Sequence, residues 1–134
     1  MTMRVMGPVG IPEIRTRVAE TAGILRGYAV GQGVADDGGK LIAVLNTRVI
    51  GVAGDVPVAG TNVGDAFPVV QDGETVAIAG AVIAAGQYVK ADATSRFIPA
   101  VGAAGSGEEI AGRAQSSALV IGDEFIIDFV PSVK

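Results

Sequence analysis

The sequence predicts an all-β fold: a compact β-sandwich or barrel of short strands, built from two similar repeated units and preceded by an extended N-terminal arm. Three observations support it. Short segments rich in Val, Ile and Phe alternate with turn residues. Glycine accounts for 20 of the 134 residues, roughly twice its average share. Four sequence blocks also recur in the same order. A chain of this length can form one domain with a hydrophobic core.

The N-terminal arm is predicted over residues 1–20, followed by a β domain over residues 21–134. Two glycines and two prolines between positions 7 and 12 interrupt any regular element, because proline lacks a backbone donor. A short strand is expected near Ile14–Val18, where alternate residues share a face. A helix over residues 13–22 is the alternative.

The β domain contains eight segments that read as strands between Gly, Asp, Asn or Pro residues. They are Leu41–Leu45, Arg48–Ala53, Ala66–Val70, Thr75–Ala79, Gln87–Lys90, Arg96–Ala100, Glu109–Ala114 and Glu124–Val130. Turns are predicted at Asp36–Gly39 and at Asp72-Gly73, because Gly and Asp tolerate positive φ. Glycines limit any helix in the Ala-rich stretch 77–85.

An internal repeat is predicted over residues 22–70 and 79–130, with offsets of about 57 to 61 residues. Its last block, Gly64–Val69, matches Gly122–Ile127. The other matched blocks are Ala22–Val30 with Ala79–Val89, Lys40–Ala43 with Arg96–Pro99, and Val49–Ala53 with Ile110–Ala114. The aromatic residues expected in the core are Phe67, Phe97, Phe125 and Phe129.

Composition excludes much common site chemistry. The chain has no Cys, His or Trp, so it has no Cys/His zinc site, disulfide, Cys nucleophile or His general base. Its net charge of −4 disfavours duplex nucleic acid or an anionic membrane as the main partner. We therefore predict no enzyme activity, no catalytic residues, no cofactor and no metal site.

The remaining motifs favour ordinary structural interpretations. Gly33–Lys40 lacks the spacing of a phosphate-binding loop and reads as a turn. The pairs Asp36/Asp37 and Glu108/Glu109 lie in Gly-rich turns and are interpreted as solvated surface charge. Lys90 lacks the neighbours of a carrier-domain lysine. A Ser/Lys pair is chemically possible, but no lysine has the sequence signature for it.

The N-terminus has no apolar stretch long enough for a secretory signal. The longest uncharged run, Thr75–Val89, is shorter than the roughly 20 apolar residues of a membrane-spanning helix. The protein is therefore expected to be soluble and made in a cytoplasm.

The second copy resembles a known family. The segments Ile83–Lys90, Phe97–Ala100, Ile110–Ala114 and Gly122–Ile126 are similar to small decoration, or cement, proteins of tailed-bacteriophage capsids. The similar pattern is an AGQ-x-V run, a small-residue G-x-A strand and a closing GD strand. The resemblance covers roughly residues 22–131, and its motifs consist of common residues.

This resemblance implies a virion protein, made in the host cytoplasm, that binds the outside of an assembled capsid and stabilises it. The implied partners are the shell of the major capsid protein and two further copies in a homotrimer. The arm is the part that we expect to contact the shell or a neighbouring subunit, through Arg4, Ile11, Pro12, Ile14, Arg15 and Arg17.

A small enzyme that uses Ser/Lys or Asp chemistry is one alternative, and it should show a deep cleft with converging charges. Two further alternatives are open. One is another phage structural component, from the tail or baseplate, which the sequence does not distinguish from a decoration protein. The other is a non-catalytic β-sandwich module that binds sugar or peptide; it should expose an aromatic cluster.

Overall fold

The computed structural model describes residues 13–101 and 108–130, and the described residues form nine strands and no helix. The longest strand, Ala66–Ile78, lies in the middle of the sheet order. The strands are β1 (Glu13–Ala19), β2 (Ala29–Gln32), β3 (Gly38–Leu41), β4 (Gly51–Ala53), β5 (Ala66–Ile78), β6 (Tyr88–Ala91), β7 (Phe97–Pro99), β8 (Gly112–Ala114) and β9 (Glu124–Phe129).

The first five strands close into a barrel, which we call unit 1 together with its turns. They pair in the order β1-β3-β2-β4-β5, and β5 pairs back to β1. The pairing of β1 with β3 is parallel, whereas its pairing with β5 is antiparallel. Closure leaves this barrel without a free sheet edge.

The remaining strands lie outside this barrel, bonded along the second half of β5. The order continues from β5 through β9, β8 and β6 to β7. An isolated parallel bridge then joins Phe97 of β7 to Ala79, the residue after β5. We call β6–β9 and the second half of β5 unit 2. The two units therefore share one strand and the same order of pairing.

Backbone hydrogen bonds also match between the units. In unit 1 the Gly64 N–H donates to Ala19 O at 2.8 Å, and in unit 2 the Gly122 N–H donates to Ala79 O at the same distance. In a second matched pair, the Gly27 N–H donates to Ala53 O at 2.9 Å in unit 1 and the Gly86 N–H donates to Ala114 O at 2.8 Å in unit 2. The four donor glycines all have positive φ, between 86° and 94°, a region that favours glycine. The units are equivalent in backbone; their origin by duplication stays a prediction.

Two apolar clusters form the core, and the larger one crosses between the units. The smaller cluster fills unit 1 around Ile24, Phe67 and Val69. The larger surrounds Phe97, Phe125 and Phe129 of unit 2 and also includes residues of unit 1, such as Val52. All four predicted core phenylalanines are at most 2% exposed, which confirms that prediction.

Buried Ser95 of unit 2 accepts hydrogen bonds from two residues of unit 1. The Ile42 N–H donates to its Oγ at 2.5 Å, and the Ala29 N–H donates to its carbonyl oxygen at 2.7 Å. Ser95 is fully buried and has φ 64°. The shared strand, the shared cluster and these bonds join the units into one domain.

The all-β prediction is confirmed, but several boundaries differ. The predicted strands Ala66–Val70 and Thr75–Ala79 are parts of one strand, β5, and the turn predicted at Asp72-Gly73 is absent. Gly73 instead takes φ 100° within the strand, and the pairing with β1 shifts register beside Asp72. A glycine irregularity inside a strand has the same local sequence as a turn.

The predicted arm also divides. Residues 13–19 form β1, an integral strand of the barrel, so the expected strand near Ile14–Val18 is present and the alternative helix is not. The first 12 residues lie outside the described part of the chain.

The alignment of one repeated block, Lys40–Ala43 with Arg96–Pro99, is wrong by two residues. It aligns Leu41 with Phe97, whereas in the structure the parallel bridges of the two units join Ala19 to Gly39 and Ala79 to Phe97, so that Gly39 is the equivalent of Phe97.

Candidate interaction surface

A polar groove of ≈ 400 Å³ opens beside β1 in unit 1. Three strands and the segment before β4 contribute to it. Its lining residues are Glu13, Arg15, Arg17, Gln32, Arg48, Val49, Ile50 and Gln71. Side chains alternate between faces along a strand, so Arg15 and Arg17 share a face of β1 with Ala19, which is buried in the core of unit 1. The groove is therefore the open, polar end of the barrel interior.

Arg17 is held in place by backbone oxygens. Its Nη1 donates to the carbonyl oxygen of Asp36 at 2.8 Å and, at longer range, to Gly38 O at 3.4 Å and Gln32 Oε1 at 3.3 Å. The hydrogen bonds of this guanidinium therefore connect the turn between β2 and β3 to β1. These partners are neutral, so the positive charge of Arg17 is not cancelled by them.

Glu20 binds the first residues of the same turn. Its carboxylate oxygens accept the N–H groups of Val34 (2.8 Å) and Ala35 (2.9 Å). These bonds, first that of Ala35, lower the pKa of Glu20 below its ordinary 4.5. A side chain at Gly38 would collide with this carboxylate. The predicted turn at Asp36–Gly39 is present in its first half: Asp36 and Asp37 form the turn, whereas Gly38 and Gly39 begin β3.

The groove is positively charged although the chain is acidic. Three arginines and one glutamate line it, whereas the whole chain carries −4. Guanidinium groups bind carboxylates through paired N–H donors. The surface can accept acidic side chains of a partner. Arg15 is exposed in this groove.

The other face of β1 is partly apolar and exposed. Ile14 is 56% and Val18 is 36% exposed, on either side of exposed Thr16. A strip of apolar side chains thus runs along the barrel wall next to the basic groove. Apolar area flanked by charge is the usual composition of a protein contact surface.

The predicted contact residues divide into three groups. Arg15 and Arg17 both line the groove, whereas Ile14 lies on the opposite face of β1. Arg4, Ile11 and Pro12 lie outside the described residues. The sequence did not indicate Gln32, Arg48 or Gln71, because these residues come from separate segments that only barrel closure brings together.

The paired carboxylates behave differently from one another. Asp36 and Asp37 are exposed, as predicted. The interpretation of Glu108 as solvated charge is wrong, because its side chain is 5% exposed and binds the Lys90 Nζ at 2.7 Å. One oxygen of Glu109 is buried as well. A Gly-rich neighbourhood does not reveal this burial, since it is produced by contacts with β6 and distant loops.

Neither a metal cluster nor a membrane-spanning helix is found in residues 13–101 and 108–130. In this part of the chain no group of three or more His, Cys, Asp or Glu residues is placed to hold a metal ion. No helix there is long and apolar enough to cross a membrane.

Together, these features define an all-β barrel protein with a basic groove. Neither a protein-family model nor a curated protein matches the sequence. A solved structure does match in fold: the crystal structure of the head fiber gp8.5 N base in bacteriophage phi29, with a TM-score of 0.63 and 17% sequence identity. The match covers 92% of this chain and 99% of that one, so the similarity concerns nearly the complete fold of both.

Proposed function

We propose that this chain is a structural protein of a phage virion that binds the outer surface of an assembled capsid and stabilises it, as a homotrimer. The observation that carries the proposal is the similarity in fold to the head fiber base of a phage, over nearly all of both chains. The sequence resemblance to capsid decoration proteins points to the same class of protein. A structural role of this kind needs no catalytic site, cofactor, nucleic acid or membrane.

The contact surface in this proposal is the groove and the adjoining face of β1. The groove offers Arg15 and Arg17 to acidic groups of the major capsid protein shell. The exposed side chain of Ile14 supplies apolar area beside them. In this proposal Arg4, Ile11 and Pro12, which lie outside the described residues, also belong to the predicted arm contact.

A trimer would multiply a modest contact. Three equivalent grooves related by a closed three-fold axis present the same surface to a three-fold position of the shell. Once one subunit is bound, the next contact is intramolecular, so overall affinity exceeds that of one groove by orders of magnitude. In this proposal the trimer binds an expanded shell whose subunits repeat with the same symmetry.

Co-sedimentation with expanded capsids of the phage that encodes the chain tests this proposal. The purified protein should pellet with the shells to a saturating ratio, and light scattering should give the mass of three chains. Charge reversal at Arg15 (Arg15→Glu) should weaken binding by about tenfold or more per subunit, corresponding to loss of a charge-assisted contact. Added salt should also weaken binding, because exposed charges are screened.

Matched variants separate the groove from general charge effects. Arg113→Glu makes the same charge change in unit 2, where the Arg113 guanidinium lies 5.8 Å from the ring centre of Tyr88. It should retain binding. Deletion of residues 1–12 tests the arm without removing β1. If the wild-type protein does not pellet with the shells, the proposed function is contradicted. If the Arg15→Glu variant pellets as well as the wild-type protein, the proposed groove is contradicted.

A further inference from the structure

Three side chains from three separate segments meet at the boundary between the units. Lys90 lies on β6, Asn46 on the connection between β3 and β4, and Glu108 on the segment before β8. The Lys90 Nζ is 2.7 Å from Glu108 Oε2 and 3.2 Å from Asn46 Oδ1. We propose that Lys90 and Asn46 form an intramolecular isopeptide bond, with Glu108 transferring the proton. This proposal does not depend on capsid binding.

The amine and the amide carbon are close enough to react after a small rotation. The carbon Cγ of Asn46 lies one C=O bond, about 1.23 Å, from the oxygen that Lys90 already contacts. Cγ lies on the axis of the terminal torsion of Asn46, so the amide group can present its face to Nζ by rotating about that torsion, and a small change of χ1 in Asn46 or of the Lys90 side-chain torsions closes the remaining distance. Reacting atoms held about 3–3.5 Å apart gain most of the advantage of an intramolecular reaction.

The fold holds both reacting residues. Lys90 lies within β6, opposite Ile98 of β7, and its side chain is 13% exposed. Asn46 has φ 66°, a left-handed conformation that Asn tolerates better than most residues. The neighbouring Thr47 hydroxyl donates to the Val44 carbonyl at 2.6 Å, which closes the turn around Asn46. The side chain of Asn46 is presented from a fixed turn.

Glu108 is placed to act as the general base and acid. Its side chain is 5% exposed, and the Val101 N–H donates to the same oxygen that contacts Lys90, at 3.0 Å. A positioned carboxylate can transfer protons between an amine and a leaving group.

The reaction is balanced without a co-reactant. Lys90 passes one proton from its ammonium to the Glu108 carboxylate, and the free electron pair on Nζ attacks Cγ of Asn46. The new C–N bond forms, the bond from Cγ to Nδ2 breaks, and Glu108 returns its proton to the departing nitrogen. With the second proton lost from Nζ, the nitrogen leaves as ammonium. Nothing is oxidised or reduced, and Asn46 is exposed, so the product escapes to solvent.

The bond would tie the two units covalently. It joins positions 44 apart in sequence, from the barrel of unit 1 to β6 of unit 2. A cross-link of this span restricts the unfolded chain and so stabilises the folded one. The alternative is an ion pair and a hydrogen bond without reaction; in that case the chain keeps its unreacted mass and both charges.

Mass spectrometry of the full-length protein, purified under native conditions and then denatured, distinguishes the two. The proposal predicts a mass lower than the sequence mass by one ammonia, and a branched peptide joining Lys90 to Asn46 after digestion. A mass equal to that of the sequence, together with separate linear peptides that carry Lys90 and Asn46, would overturn the proposal. The wild-type measurement alone decides it, so the answer does not depend on any variant folding.

Variants identify the chemistry. Lys90→Arg and Asn46→Ala should each restore the unreacted mass, whereas Lys40→Arg, on β3, should not. Asn46→Asp should lose water in place of ammonia. Glu108→Gln should leave the bond unformed in chains that keep the native circular dichroism spectrum. Loss of ammonia that persists in Lys90→Arg would assign the change to cyclisation of an asparagine and would also overturn the proposal.

Discussion

In unit 1 the parallel bridge beside the shared core joins Ala19 to Gly39, whereas the equivalent bridge in unit 2 joins Ala79 to Phe97. At this position unit 1 has no side chain and unit 2 has a fully buried ring. The glycine leaves room for the ring of Phe67, since a Cβ at Gly39 would lie 3.0 Å from its Cζ. In unit 2 the ring of Phe97 instead packs edge-on against Phe125, with centroids 6.3 Å apart.

This comparison shows how one hydrogen-bonded framework can surround two different interiors. Phe67 and Phe125 follow the same Gly-Asp turn in their units, yet one faces a glycine and the other a second ring. The unit with less aromatic filling is also the one whose barrel end is open, polar and basic. Unit 2 therefore contributes three of the four buried phenylalanines, and unit 1 provides the groove proposed for binding.

The largest predicted effect is in unit 2. Phe97→Ala should lower the free energy of unfolding by about 4 kcal/mol, because it removes a buried ring and leaves a cavity beside Phe125. Urea titration followed by circular dichroism measures the change. One transition should remain, because the units share β5 and the larger apolar cluster.

The exposed variant Val34→Ala provides the control. Val34 is 97% exposed, so its stability change should stay within about 0.5 kcal/mol. Two separate transitions in the Phe97→Ala protein would show that the units unfold independently, contrary to the shared core.

At the equivalent position in unit 1, Gly39, adding side-chain volume should destabilise the protein, whereas at Phe97 removing volume does so. Gly39→Ala places a Cβ 2.9 Å from Val30 Cγ1 and 3.0 Å from Phe67 Cζ, and overpacking of this kind costs about 2 kcal/mol. Combining it with Phe67→Leu should make the double mutant more stable than the sum of the two changes predicts. A neutral Gly39→Ala would mean that unit 1 has spare room at this position.

Positions where the units agree should give equal effects. Gly64 and Gly122 both have φ 94°, and both have open space where a Cβ would be placed. Each Gly→Ala substitution should therefore cost only the left-handed strain of an L-residue, about 1 kcal/mol. Thermal unfolding of the two single variants checks this equality. A difference above about 1 kcal/mol between them would contradict the equivalence of the two turns.

The smallest predicted effect is a pH dependence specific to unit 1. The pKa of Glu20 is lowered in the folded chain by the N–H groups of Ala35 and Val34. Its contribution to stability is therefore present above its unfolded pKa and is lost as pH falls through the folded value. Stability should decline below about pH 4.5, and Glu20→Gln should make that decline shallower.

Gly80 provides the comparison within the chain. It occupies the position in unit 2 that Glu20 occupies in unit 1, since their N–H groups donate to the equivalent oxygens of Phe97 and Gly39. Gly80 itself has no side chain, and the carboxylate beside it belongs to Asp92, whose Oδ1 accepts the N–H groups of Thr94 and Arg96 within its own turn. An unchanged pH profile in Glu20→Gln would assign the acid sensitivity to other carboxyl groups.

The fold class could be predicted because strand composition, turn residues and recurring blocks all pointed to the same answer. The burial of Phe67, Phe97 and Phe125 followed from their apolar strand positions. Strand β2 was missing from the predicted segments, because Ala29–Gln32 has the small residues of a loop and gains its strand from two neighbours. The division of the chain at Asp72-Gly73 failed for the related reason that local sequence does not distinguish a turn from a strand irregularity.

The candidate surface could be predicted in part. Arg15 and Arg17 share one face of a strand by simple alternation, so their proximity followed from the sequence once the strand was assumed. Arg48 and Gln71 join them only through closure of the barrel, which depends on long-range pairing that single segments do not encode. The burial of Glu108 was missed for the same reason, since its partner Lys90 lies on another strand.

Electron cryomicroscopy of capsids saturated with the protein tests the central proposal most directly. The account predicts three copies of the described fold around a three-fold position on the outer shell, with the groove of unit 1 facing acidic side chains of the major capsid protein. Density for the fold on the tail, or on the shell with unit 2 as its contact and the groove facing solvent, would contradict it.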